Sequence, residues 1–244
     1  PQHLDGDNLM KFDFIVSNPP FKTDFSNSIE SLKADKYDRF FAGLPNIPKK
    51  DKNSMAIYET FLQHVIASLS SRGKAAVVVP TGFTTAGTGV PKKIRQYLVD
   101  NNWLRGVIHM PSNIFATTGT SVSIIFIDKT KTDDKVILLD ASNLGTKVSL
   151  EDGQRTVLSE FEKDKIIGYF KGRIEEHEFS VLPTCSEIKA NNYTIQAGQY
   201  FERKEAQLDF DIDARISELS ESITSIINES TELDKDILLI LREM

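Results

Sequence analysis

Apolar and polar positions divide the chain into short apolar runs separated by helical stripes, the alternation expected of a doubly wound α/β sheet. Phe12-Asp13-Phe14-Ile15-Val16 is a β-branched and aromatic run that predicts a buried strand. Pro19 and Pro20 end it abruptly, because neither can donate to a sheet ladder, so Asn18 arrives at the strand's carboxyl end. Between Ser54 and Ser71, the residues Tyr58, Phe61, Leu62, Val65, Ile66 and Leu69 form one stripe and predict a helix stopped by Gly73. Ala75 to Val79 predicts a buried strand ended by Pro80, and a helix follows with Pro91 near its first turn and Ile94, Tyr97 and Leu98 on one face. Strands are predicted at Trp103–Met110, Ser121–Lys129 and Lys135–Asp140. A polar stretch then runs to Thr156, and a capping box at Ser159-Glu160-Phe161-Glu162 predicts a helix to Phe170. Arg173 to Ser186 is mixed and charged.

The tail follows a different period. Alternating steps of four and three from Ile212 give Ile216, Leu219, Ile223, Ile226, Ser230, Leu233, Ile237, Ile240 and Met244, and only Ser230 breaks the heptad. Glu218, Glu221, Glu229, Lys235, Asp236 and Arg242 keep the other face polar. Such a helix is roughly 50 Å long at 1.5 Å per residue, too long to bury on a small domain, and its stripe calls for a partner helix. Self-association and back-packing on the domain are the other readings.

Composition narrows the class. At 244 residues and 40% hydrophobic content the chain suits one substantial domain plus an appendage. No apolar run approaches the length of a membrane span, and no signal-peptide pattern opens the sequence. A single cysteine, Cys185, excludes an internal disulfide framework and predicts a cytoplasmic setting. His3, His64, His109 and His177 show no metal-ligand spacing with one another or with Cys185, so no metal is expected. Gly82-Phe83-Thr84-Thr85-Ala86-Gly87-Thr88 is no triphosphate loop, because Thr88 stands where the phosphate-binding lysine belongs.

The chemistry concentrates at Ser17-Asn18-Pro19-Pro20-Phe21. In open α/β sheets ligands bind beyond the carboxyl ends of the strands. Asn18 offers an amide oxygen there, Pro19 offers a carbonyl, and Phe21 offers an apolar face for stacking. Two adjacent acceptors suit a planar amino group whose lone pair is delocalised into a ring. Accepting both of its hydrogens draws the nitrogen towards tetrahedral geometry and frees the lone pair for attack. A plain Asn-Pro-Pro turn is the other reading.

Asn18-Pro19-Pro20-Phe21 resembles the catalytic motif of S-adenosylmethionine-dependent N6-adenine DNA methyltransferases. Pro111-Ser112-Asn113-Ile114-Phe115, Thr118-Gly119-Thr120 and the strand ending at Lys129 resemble the closing hairpin of the modification (M) subunits of type I restriction-modification enzymes. So do Val79-Pro80-Thr81-Gly82-Phe83, Ile94-Arg95, Leu98-Val99 and Val107-Ile108-His109-Met110-Pro111, in that order. The resemblance implies a Rossmann-like methyltransferase sheet that is incomplete, with its first strands and glycine-rich loop missing ahead of Asn18, and a coiled-coil-like helical tail. It implies three parts: residues 1–147 as the carboxyl-terminal part of the catalytic domain, 148–204 as a mixed segment closing it, and 205–244 as a helical tail for subunit association. Asn192-Tyr193-Thr194-Ile195 and Tyr200-Phe201 resemble the family's closing segment, with no chemistry assigned to it.

The same resemblance implies roles. Asn18, Pro19, Pro20 and Phe21 are the expected catalytic residues, with S-adenosylmethionine as methyl donor. Phe115 is the expected second wall for the target base, a core phenylalanine being the alternative. Asp7, in Gly6-Asp7-Asn8-Leu9, is the position matching a cofactor-binding acidic residue, a solvated turn aspartate being the other reading. The stretch from Lys22 to Asn53, with Phe25, Tyr37, Phe40 and Phe41, reads as a lid over a flipped base or as a surface excursion. Lys92, Lys93 and Arg95 read as a basic cluster, either on DNA phosphates or solvated. The formal net charge of −6 is unusual for a protein that grips DNA alone, which fits a separate DNA-reading subunit. Expected partners are DNA, a specificity subunit through the tail and a restriction subunit. A protein glutamine N5-methyltransferase and a non-catalytic assembly module are the competing functions. The single cysteine, Cys185, stands in no Pro-Cys pair, which argues against cytosine-C5 chemistry, whose nucleophile is a cysteine.

Overall fold

The computed structural model describes residues 3–115, 121–150, 153–201 and 212–243. Residues 1–202 make one compact unit and 203–244 a second. The first unit opens with a small hairpin, β1 (Leu4–Asp5) and β2 (Asn8–Leu9), followed by β3 (Phe12–Ser17). After a long loop holding α1 (Ile29–Lys33) come α2 (Tyr58–Ser68), β4 (Leu69–Pro80), α3 (Gly82–Thr85), α4 (Gly89–Asp100), β5 (Leu104–His109), β6 (Val122–Asp128) and β7 (Ile137–Asp140). A second hairpin, β8 (Thr146–Leu150) with β9 (Gly153–Val157), precedes α5 (Glu160–Gly172), β10 (Ser180–Val181) and α6 (Cys185–Ala190). The second unit contains α7 (Ile212–Glu243).

Among the described residues the main sheet has the order β10-β7-β5-β6-β4-β3. β3 runs parallel to β4 and β5 parallel to β7, while β6 returns antiparallel between β4 and β5. Alternate residues of these strands feed two cores, as the two-residue period of a strand requires. Val77, Val79, Val107, Ile125 and Ile127 face α2 and α4, meeting Leu62, Val65, Ile66, Ile94 and Leu98. On the other face Ile108 and Leu139 meet Ile166 of α5, with Phe126 and Phe170 alongside.

The α/β sheet expected from the sequence is therefore present, with four differences. β3 is not buried throughout: Phe14 is 78% and Val16 87% exposed, because β3 is the edge strand and α5 covers the β5–β7 side of that face. Gly73 does not stop the second helix. α2 ends at Ser68, and Gly73 lies inside β4, where a register shift opposite Phe12–Phe14 lets the backbone fold so closely that a Cβ would sit 2.9 Å from Leu69. The polar stretch before Thr156 forms the β8–β9 hairpin, and the charged stretch after Arg173 yields β10 and α6. Arg95 belongs to no solvated cluster, since its side chain is 0% exposed.

Candidate active site

β3, β4, β5 and β7 share one direction, so their carboxyl ends share one edge of the sheet. α2 and α4, which precede and follow β4, begin at that edge, and the loop from β5 to β6 turns there. Asn18 leaves β3 exposed at this edge, Pro19 is buried, Pro20 is exposed and Phe21 is half-buried against the main core. The pattern follows from the prolines. With no N–H to pair, they break the ladder and turn the chain, and Phe21 is drawn inward by apolar contact. Its ring meets Tyr58 edge-on, with centroids 6.4 Å apart at 78°. The chain is pinned just beyond, where Thr23 N donates to Met55 O at 3.2 Å.

Phe115 lies half-buried on the stretch leaving β5 at the same edge. Both ends of that loop are tied: Met110 N donates to Val122 O at 2.9 Å, and Thr81 N donates to Ser121 O at 3.1 Å. His109 Nδ1 lies 3.2 Å from Ser123 Oγ and 3.4 Å from Thr81 Oγ1, linking the ends of β5, β6 and β4. From the outside, Thr156 of β9 donates its N–H to Asn113 O at 2.9 Å and its hydroxyl to Ser112 O at 2.7 Å. Thr118-Gly119-Thr120 lies outside the described residues.

Asp7 occupies the exposed turn between β1 and β2. That hairpin is anchored at the amino end of β3, where His3 packs edge-on against Phe12 with centroids 5.8 Å apart. β3 spans about 20 Å at 3.3 Å per residue, and Asn18 lies at its other end. The structure thus gathers Asn18, Pro19, Phe21 and Phe115 on one edge and leaves Asp7 apart from them.

The long loop after Phe21 is built rather than slack. Asp35 takes two bonds from Arg39, at 2.6 and 2.8 Å, which with the Arg39 amide hold its carboxyl below the usual range against the opposing effect of burial. Phe41 stacks on Tyr97 with centroids 4.1 Å apart, and Gln63 holds Ala42 N and Gly43 O at 2.8 and 2.9 Å. Between this loop and the starts of α2 and α4 lies a cavity of about 440 Å³, whose lining includes Asn46, Glu59, Val90 and Lys93. Glu59 is 6% exposed, and burial pushes its carboxyl up to about 7 while the Tyr58 hydroxyl opposes the shift. Among the described residues no group of three or more His, Cys, Asp and Glu could hold a metal ion.

The pattern of N-6 DNA methylases matches residues 2–209. The chain belongs to the N-6 DNA methylase family. Curated relatives include the methylase subunits of type I restriction enzymes MpnII of Mycoplasma pneumoniae (27% identity, 96% of this chain and 40% of that protein) and MjaIX of Methanocaldococcus jannaschii (29%, 95% and 42%). The HindI methylase subunit of Haemophilus influenzae is 28% identical over 97% of this chain and 52% of its own. This chain thus spans about half, or less, of the length of these relatives. A solved type I restriction-modification methyltransferase subunit from Streptococcus thermophilus superposes with a TM-score of 0.64 at 26% identity, covering 79% of this chain and 38% of that one. A chain of another solved type I system shares the fold at a TM-score of 0.53 and 18% identity, over 93% of this chain and 46% of that one.

Of the residues singled out in the sequence, Asn18, Pro19, Phe21 and Phe115 come together on this edge. Sequence reasoning missed Tyr58, Glu59, His109, Ser123 and Thr156, whose positions depend on strand order and on which helix end meets the edge. It also gave Arg95 the wrong surroundings. For Arg95 a signal existed, since one step from Ile94 on a helix places it beside the apolar stripe.

Proposed function

We propose that this chain is the catalytic part of the modification subunit of a type I restriction-modification system and transfers methyl groups to N6 of adenine in DNA. The observation that carries the reading is the pairing of an exposed Asn18 with Pro19 and the half-buried Phe21, on the same sheet edge as Phe115. The target adenine leaves the duplex, since its amino group is unreachable inside it. Phe21 and Phe115 hold its ring. The Asn18 amide oxygen and the Pro19 carbonyl accept the two amino hydrogens, turning the nitrogen lone pair towards the methyl donor. S-adenosylmethionine supplies the electrophilic methyl group. Attack in line with the donor's sulfur–methyl bond depends on positioning; as the new N–C bond forms that bond would break, the donor leaving as its neutral thioether, and the surplus amino proton passes to solvent. Asp7, expected from the sequence to contact the donor, sits at the opposite end of β3 from Asn18, so the donor's cradle is assigned to the additional length that the relatives possess. The acceptor pair selects an amino group, which fits DNA adenine and, by chemistry alone, a glutamine side chain.

The tail helix α7 is proposed to pack on a specificity subunit that reads DNA, with a restriction subunit completing a cytoplasmic complex. Ile216, Leu219, Ile223, Ile226 and Leu233 are exposed along α7, which supports a partner for that stripe. Among the described residues no helix is long and apolar enough to cross a membrane.

Asn18→Ala in the full-length enzyme with its DNA-reading subunit is expected to abolish transfer of labelled methyl to DNA, with the thermal transition unchanged. An Asn18→Ala enzyme that still methylates DNA would sink the mechanism. Label arriving in protein rather than DNA would replace the substrate.

A further inference from the structure

Behind Phe21 stands a continuous stack that none of the motifs explains. Tyr58, buried at the start of α2, meets Phe21 edge-on at 6.4 Å and 78°, and meets Phe83 of α3 edge-on at 6.2 Å and 80°. Both distances fall in the 4.5–7 Å range in which the positive edge of one ring attracts the negative face of another. Phe83 is in turn fixed by Arg95, whose guanidinium lies 5.7 Å from the ring centroid, the geometry of a cation–π contact. Arg95 is 0% exposed, and its donors go to carbonyls: Nη1 to Phe83 O, Nη2 to Ala86 O and Nε to Tyr193 O at 2.7 Å. One buried cation therefore fixes α3, the link into α4 and the segment around Tyr193. That segment is held a second time, where Ile195 N donates to Thr84 O at 3.0 Å.

An apolar residue at position 95 would spare the cost of burying a charge but would leave the Phe83, Ala86 and Tyr193 carbonyls without this donor, so the guanidinium serves stability as well. What the arrangement also provides is a fixed orientation, because edge-to-face packing and a planar guanidinium define ring planes, whereas aliphatic packing defines only volume.

We infer that Tyr58 is a positioning residue for base binding, with Phe83 and Arg95 as its support: the stack sets the plane of Phe21, and so the plane in which the target base lies against it. The inference rests on the proposed methylation. Arg95 also connects that plane to the closing segment at Tyr193, which the sequence reading left without a role.

The test uses the full-length methyltransferase with its DNA-reading subunit, and 2-aminopurine in place of the target adenine to report extrusion of the base. Tyr58→Leu is expected to lower kcat about tenfold and to reduce the 2-aminopurine signal. KM for DNA should change less than twofold, because the rest of the DNA contact is untouched. Tyr58→Phe retains the ring and should stay within twofold of wild type in both readouts. Phe83→Leu, which removes the far ring, should move in the same direction as Tyr58→Leu, so the test does not rest on a single folded variant. The double variant Phe21→Leu/Tyr58→Leu should be no worse than Phe21→Leu alone, since residues acting through one contact are not additive. The inference is overturned by folded Tyr58→Leu and Phe83→Leu enzymes with wild-type kcat and 2-aminopurine signal, or by additive losses in the double variant. Asn18→Ala run in parallel separates the two ideas: if it stays active the methylation reading fails, whereas if it is dead and the stack variants are normal, only the role of the stack fails.

Discussion

Glu59 shows how far a residue's chemistry can depart from its place in a pattern. It follows Tyr58 at the first turn of α2, where an acidic side chain normally enjoys the helix's positive end. Here the loop from Ala42 to Asn46 and the start of α4 close over it, and its carboxyl titrates near 7 instead of near 4.5. Between those values the folded protein holds a proton that the unfolded chain has lost. Stability therefore falls as pH rises through that window and stays lower above it, by at most about 3 kcal/mol. Glu59→Gln is expected to flatten this slope and to stabilise the protein at pH 8. Urea midpoints at pH 5 and pH 8 check it, and an undiminished gap between them would assign the slope to other groups. Asn18 and Phe21 were legible because two prolines mark their turn locally. Glu59 and Arg95 were not, because their burial depends on chain brought back from elsewhere: the loop from Ala42 to Asn46 and the start of α4 over Glu59, and Tyr193 against Arg95.

Elements were legible where their signals are local. Ser159 accepts from Glu162 N and Glu162 reaches back to Ser159 N at 2.7 Å, so α5 begins where its capping box predicts. Thr184 and Glu187 form the same box at the start of α6. That signature lay in the sequence as well, but no apolar stripe followed it over six residues. The β8–β9 hairpin was hidden because its strands are polar and mostly exposed, which erases the alternation that marks a half-buried strand. What places the hairpin is Thr156, buried against the loop that carries Phe115. Thr156→Val keeps the shape and removes the hydroxyl, leaving Ser112 O without that donor. A cost of about 1 kcal/mol is expected, together with faster hydrogen exchange in peptides covering Pro111–Phe115. Unchanged exchange there would mean that the backbone bond from Thr156 N to Asn113 O holds the loop alone.

At the scale of the whole molecule, the open flank of the sheet carries the most information. β3 is an edge strand whose outer face presents Phe14 and Val16 beside Ala76, Phe126 and Phe170, an apolar trough of about 290 Å³ bordered by Lys74, Arg105 and Asp128. Exposed apolar edges invite pairing with other chains, and proteins ordinarily cover or charge them. This chain spans between 40% and 52% of the length of the relatives described above, and we propose that the remaining length of such a protein covers this flank. The proposal makes the sign of one effect depend on context. In the 244-residue chain, Phe14→Ser with Val16→Lys replaces exposed side chains, so stability should shift by less than about 0.5 kcal/mol and self-association by light scattering should drop. In the full-length protein the same pair would put an unpaired charge under a covering layer, and several kcal/mol of stability should be lost. Urea unfolding of both forms decides. Equal and small shifts in the two would show that the flank stays open in the longer protein, and would require a different account of why an exposed apolar strand leads into Asn18.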